Sequence, residues 1–181
     1  MSGGVLDGPV EPRVSGHPAS LDPEVLLEGC TLGRGRSSGP GGQHRNKVQT
    51  LVVLRHDATG IEAQAGERRS GMENHRVAVR RLRLALATEH RTGVPMGEAR
   101  TQLWLDRTKG TRLSIATKHV DFAAMLAEAI DVVHACGLDH KTAALRLCVS
   151  PTQLVRLIKE HPAALARLNE ERAGMGMHPL R

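Results

Sequence analysis

One stretch of this 181-residue chain, Ser38 to Lys47 (SGPGGQHRNK), has residue types and spacing suited to chemistry rather than to packing. Gly39, Gly41 and Gly42, interrupted only by Pro40, lower the order of the chain in a way that an ordinary loop does not need. They permit backbone angles that a Cβ forbids, and they let another molecule come close to the main chain. Gln43 stands at the tip of that exposed backbone. A phosphate-cradling loop of the NTPase kind is excluded, because the spacing GxxxxGK[ST] is absent and no helix with Ser or Thr follows Lys47 as that loop requires. Near His44 there is no carboxylate pair for acid and base work, no Ser-His-Asp order and no cysteine. The loop therefore brings main chain to a substrate, not a catalytic side chain.

Such a loop needs a rigid mount, and the flanking sequence predicts one. Upstream, Asp22 as N-cap and Pro23 at the first helical position open a short helix closed by Gly29, and a strand follows from Cys30 to about Gly33. Downstream, VQTLVVLRH is rich in β-formers, the turn DATG follows, and IEAQA alternates apolar with polar residues, which makes a hairpin. Ser70 and Glu73 have capping-box spacing and begin a helix running to about His90. On its wheel Arg76, Arg80 and Arg83 form one stripe opposite an apolar arc in which Arg81 is the exception.

The charge sits around this mount. The chain carries +6 overall, but residues 31–91 hold twelve Lys and Arg against five acids, while residues 1–30 hold one against five. A local excess of this kind suits polyphosphate, so nucleic acid is the leading partner class. Trp104 and Phe122 are the only aromatics, which excludes recognition by base-stacking platforms. No apolar run of membrane-spanning length occurs, so a membrane partner is not expected. The odd, widely spaced Cys30, Cys136 and Cys148 indicate no disulfide framework, and the amino terminus resembles no targeting signal; the cytoplasm is the expected compartment.

The run RSSGPGGQHRNKVQTLVVLRHDATGIEAQAGERRSGMENHRVAVRRLRLAL resembles the peptidyl-tRNA-hydrolysing domain of class I peptide chain release factors and of the single-domain ribosome-rescue hydrolases related to them. The likeness covers roughly residues 24–91 and rests on Gly41-Gly42-Gln43, on Asn46 and Lys47, on the Thr59-Gly60 turn, and on Arg68-Arg69-Ser70 to Asn74 in register. It implies a substrate, the ester joining a nascent peptide to the terminal ribose of tRNA in the ribosomal peptidyl-transferase centre, and water as nucleophile. It implies that the main-chain N–H of Gln43 stabilises the oxyanion while its side chain admits water and excludes larger nucleophiles, with Gly41 and Gly42 aiming that N–H. Arg34, Arg36, His44, Arg45, Asn46 and Lys47, together with Arg76, Arg80 and Arg83, are then the expected contacts to large-subunit rRNA and peptidyl-tRNA. No cofactor or metal is expected.

The organisation expected is α+β: a flexible arm over 1–21, a small antiparallel sheet with a packed helix over 22–91, a connector with a short strand at LSIAT over 92–120, and an all-α bundle over 121–181. In the bundle, Asp121 is the expected cap of a helix from Phe122, Ser150 with Pro151 opens another, and a last helix runs from Pro162 to Gly174. KTAALRLCVSPTQLVRLIKEH resembles a helix-turn-helix, with Ala144, Leu147, Val149, Leu154 and Leu157 at its apolar positions and Cys148 where glycine is usual. Its expected role is docking on the catalytic domain, a protein partner or the small subunit. Sequence-specific DNA binding is the alternative, disfavoured because Gln153 and Arg156 are nearly alone as base-reading side chains. The spacing of His134, Cys136, His140 and Cys148 matches no standard zinc arrangement. Codon-reading domains are not expected, which points to codon-independent release; a ribosome binder without activity is the further competitor.

Overall fold

The computed structural model describes residues 11–35 and 50–181. Its elements run α1 (Pro23–Glu28), β1 (Cys30–Gly35), β2 (Leu51–His56), β3 (Glu62–Ala65), α2 (Gly71–Glu89), α3 (Gln102–Arg107), β4 (Thr108–Lys109), β5 (Arg112–Leu113), α4 (Phe122–Ala135), α5 (His140–Arg146), α6 (Pro151–Lys159) and α7 (Pro162–Gly174). The architecture is α+β, with a three-stranded antiparallel sheet ordered β1-β2-β3.

The alternation read from β2 and β3 is the alternation of burial. Val52, Leu54 and Ala65 point inward, and Arg55 and Glu62, paired across the strands, point out. α2 covers that inner face. Ser70 accepts a hydrogen bond from the Glu73 amide to start it, and Ala78, Leu82 and Leu86 are completely buried. Burying a leucine contributes about 1.5–3 kcal/mol, so Leu82 and Leu86 anchor α2 firmly. Arg81, the misfit of the apolar arc, turns outward to Glu67 at 2.7 Å and donates to the Gln64 carbonyl.

α4 lies against the other side of α2. Twelve of its fourteen residues are buried, as befits a helix apolar all round. α5, α6 and α7 complete the bundle, and the five apolar positions of the helix-turn-helix pattern, Ala144, Leu147, Val149, Leu154 and Leu157, are all buried. Cys148 takes φ +52°, the left-handed angle for which that pattern reserves glycine. Ser150 caps α6 by accepting from the Gln153 amide.

Three expectations are corrected. Residues 11–20 do not form a free arm: Pro18–Ser20 make a 3-10 turn, His17 and Ala19 are buried, and Arg13 bonds through its amide to Arg100. Residues 1–10 lie outside the described residues. The segment 92–120 holds α3 and the β4–β5 hairpin, with the strand ending at Leu113 rather than running through LSIAT. It is latched by two buried acids of α4, Glu128 accepting from the Thr101 amide and hydroxyl, and Asp131 accepting from Thr92 and Arg91. Burial pushes the Glu128 carboxyl above its ordinary range, against those Thr101 bonds. Asp121 precedes α4 but makes no side-chain cap; its carboxylate is occupied by Arg107 at 2.6 Å.

Candidate functional site

β1 and β2 are antiparallel, and their shared register ends at the pair Gly35↔Leu51. The segment between them therefore leaves and re-enters the sheet at one point. Gly41, Gly42, Gln43, His44, Arg45, Asn46, Lys47 and Arg36 belong to that segment and lie outside the described residues. Gly35 fits the closing rung: a Cβ there would come within 3.2 Å of a Leu51 side-chain carbon.

A second clamp sits beside this rung. Asn74, in the first turn of α2, is fully buried. Its Nδ2 donates to the carbonyls of Thr50 (2.6 Å) and Arg68 (3.0 Å), and its Oδ1 accepts from the Arg68 amide (2.9 Å). The amide orientation follows from that pattern, since a backbone N–H requires an acceptor. One side chain thus joins the start of β2, the 66–70 turn and the helix. Asn74 entered the sequence reading only as the end of a matching stretch. The signal for its role was its position: asparagine is a poor helix former that prefers local hydrogen bonds to backbone, so its place in a first turn marks a link.

The cations expected to meet RNA separate into two groups. Arg34 is exposed on β1 and, with Leu32, Met72 and His75, lines a groove of about 440 Å³ beside the start of α2. Arg76 and Arg80 are exposed and line a more apolar groove of about 370 Å³ that also reaches His75, Lys118 and Val120. His75 borders both, so the three arginines share adjoining surface. Arg83 borders the same groove but is already engaged inside the molecule. It is 7% exposed, its Nε and Nη2 donate to the Ala19 carbonyl (3.1 and 2.9 Å), and its Nη1 donates to the Val120 carbonyl (2.7 Å). The helical stripe was read correctly, but the chain folds over its last arginine. Burial pulls the Arg83 guanidinium below its ordinary value, with Asp121 and Asp22 opposing.

Among the described residues no group of three His, Cys, Asp or Glu side chains could hold a metal ion, and His134 is instead within 2.9 Å of Glu171. No helix among them is long and apolar enough to cross a membrane.

A small antiparallel sheet backed by a helix, with a glycine-rich segment issuing from one closed rung, is the frame in which a family can be sought. Residues 28–119 match the RF-1 domain, and the chain belongs to that family. It is 37% identical over 67 residues to peptide chain release factor 1 of Symbiobacterium thermophilum, covering 37% of this chain and 19% of that protein. The corresponding protein of Chlorobaculum tepidum is 38% identical over 66 residues, 36% of this chain and 18% of the relative. A mitochondrial peptide chain release factor-like protein of Saccharomyces cerevisiae is 35% identical over 81 residues, 45% of this chain and 52% of that one. The chain thus spans about a fifth of the release factors it matches and about half of the yeast protein.

Proposed function

We propose that this chain hydrolyses peptidyl-tRNA in the ribosomal peptidyl-transferase centre without reading a stop codon. The observation that carries the reading is Gly41-Gly42-Gln43 in a segment whose ends meet at the Gly35↔Leu51 rung, within the stretch that matches the RF-1 domain. In this reading residues 22–91 are the hydrolytic unit, 92–120 join it to the bundle, and 121–181 dock on the small subunit or a protein partner.

Water adds to the carbonyl carbon of the ester, one of its protons passing to solvent, and a tetrahedral oxyanion forms. The bond from that carbon to the ribose oxygen then breaks as the remaining water proton passes to the ribose oxygen, leaving a tRNA hydroxyl and a peptide carboxylate. The Gln43 main-chain N–H donates to the oxyanion, a contribution of about 2.7–4 kcal/mol for one preorganised donor. Gly41 and Gly42 aim that donor, and the Gln43 side chain keeps attackers larger than water out. Arg34, Arg36, His44, Arg45, Asn46, Lys47, Arg76 and Arg80 meet the phosphates of large-subunit rRNA and peptidyl-tRNA. The paired rung and the Asn74 clamp support this reading by holding the two ends of the segment, since a misplacement of about 1 Å in a catalytic group lowers rates about 10²-fold.

Release of labelled peptide from ribosomes stalled without a stop codon tests the reading. The parent chain releases peptide, and Gly42→Ala slows release about 10²-fold or more. A parent that releases nothing, or a Gly42→Ala variant as fast as the parent, refutes it.

A further inference from the structure

Four described cations that the reading above leaves unused, Lys109, Arg112, Arg156 and Lys159, gather around α6. This helix stands between two clefts. One, of about 600 Å³, separates it from the β4–β5 hairpin and is lined by Lys109, Arg112, Gln153 and Arg156; the other, of about 790 Å³, is lined by Thr152, Arg156, Lys159 and Arg181. Arg156 borders both. Thr152, Arg156 and Lys159 are exposed along one side of the helix, while Leu154, Leu157 and Ile158 hold the opposite side in the core.

The hairpin carries an electrostatic cost of its own. β4 and β5 have two residues each, and the Lys109↔Arg112 rung sets two cations directly opposite one another, a pairing that destabilises a ribbon already marginal by its length. Gly110, at φ +58°, supplies the positive angle of the two-residue turn. The turn is pinned, because the Thr111 carbonyl accepts from the Ser150 amide at the start of α6. Among the described residues neither Lys109, Arg112, Arg156 nor Lys159 forms an ion pair. The neighbouring Arg107 is satisfied by Asp121, and Asp106, an acid of the same cleft, is bonded to Gln102; Glu160 is the other acid there. A held pair of like charges beside an exposed cationic ridge is what an external polyanion would complete.

We propose that α6 and the β4–β5 hairpin form a second RNA-docking surface, taking the phosphate backbones of a ribosomal RNA duplex with Lys109, Arg112, Arg156 and Lys159. The proposal rests on the ribosomal reading above and names the contact made by the bundle. A nucleic-acid partner fits better than an acidic protein because the ridge is cationic and neither cleft is lined by Phe, Trp or Tyr, whereas protein interfaces centre on apolar and aromatic anchors. Duplex RNA is met through its backbone and shape rather than its base edges, which suits a surface where Gln153 is the one amide.

The test compares the full-length parent with the variant Lys109→Gln/Arg112→Gln/Arg156→Gln/Lys159→Gln and with Gly42→Ala, each first checked for an unchanged melting temperature. Affinity for ribosomes and for a short RNA duplex is measured across salt. The quadruple variant is expected to bind both at least tenfold more weakly, with the slope of log affinity against log salt shallower by about 3.6, or about 0.9 for each of the four phosphates no longer neutralised. Single variants carry the same reading should the quadruple one melt early, each making the slope shallower by about 0.9. Unchanged affinity and slope in a folded variant overturn the surface while leaving the hydrolytic reading to be judged by Gly42→Ala alone. Tighter binding of the parent to a DNA duplex of the same sequence, or to poly-glutamate, than to the RNA duplex also overturns it.

Discussion

Asn74 Nδ2 lies 2.6 Å from the carbonyl oxygen of Thr50, so the first turn of α2 holds the residue at which the Gly-Gly-Gln segment rejoins the described chain. Sheet, turn and helix meet at one buried amide. The position of Thr50 is thereby coupled to the packing of α2.

Replacing that amide separates its donors from its acceptor. Asn74→Ala leaves the Thr50 and Arg68 carbonyls and the Arg68 amide without partners, and buried groups left in this way cost about 1–3 kcal/mol. Asn74→Asp keeps the acceptor but faces two carbonyls with an anion. Urea unfolding should show both variants destabilised, and peptide release by the folded fraction should fall in both. Full release by folded Asn74→Ala would show that the clamp does not aim the segment.

Arg83 and Arg80 lie within one turn of each other on α2 and should respond oppositely. Arg83→Met removes two donors from the buried Ala19 carbonyl and one from the Val120 carbonyl, and should lower stability by about 1.5–3 kcal/mol. Arg80→Gln sits on exposed surface and should change stability by less than about 0.5 kcal/mol, while weakening ribosome binding. Equal stability losses in denaturant titrations would contradict this division.

Acid should loosen the molecule through its buried histidines, with Glu128, raised by burial, a carboxyl whose protonation opposes the loss. Burial holds His17 below its ordinary 6.5, with Asp131 and the bond to the His90 carbonyl opposing, and burial lowers His134, His140 and His161 as well. A histidine depressed in the folded state is neutral in both states above pH 6.5 and favours the unfolded chain once the pH falls below that value. The contribution of these histidines should therefore be absent above pH 6.5 and turn against the fold beneath it. Glu98, held low by Arg100, and Asp139, held low by the Thr142 hydroxyl and the amides it caps, add their own loss only under their ordinary values of 4.5 and 3.8. Urea midpoints at several pH values check this, and His17→Gln should shrink the decline.

Much of the mount was legible because it is made of local rules. Asp22-Pro23, the DATG turn, Ser70 with Glu73 and Ser150 with Pro151 each announce an element through contacts a few residues apart. What escaped depends on partners distant in sequence. Ala19 is held by an arginine 64 positions away, and Trp104, noted only as a rare aromatic, is buried with its indole N–H donating to Leu147, 43 positions on. A segment rich in Gly, Pro and Ser shows no periodicity even where it is packed, so residues 11–20 read as free. The Gly-Gly-Gln segment was the clearest feature of the sequence, and it lies outside the described residues, so its mount is the part of the site with a geometry.

α4 touches α2 along one flank and α5 and α6 along others, so a single apolar rod serves both halves of the chain. Severing the polypeptide near residue 120 would strip each half of a wall it relies on and leave greasy faces open to clumping. Dissection of this protein is therefore better served by point changes in the intact chain than by scissors.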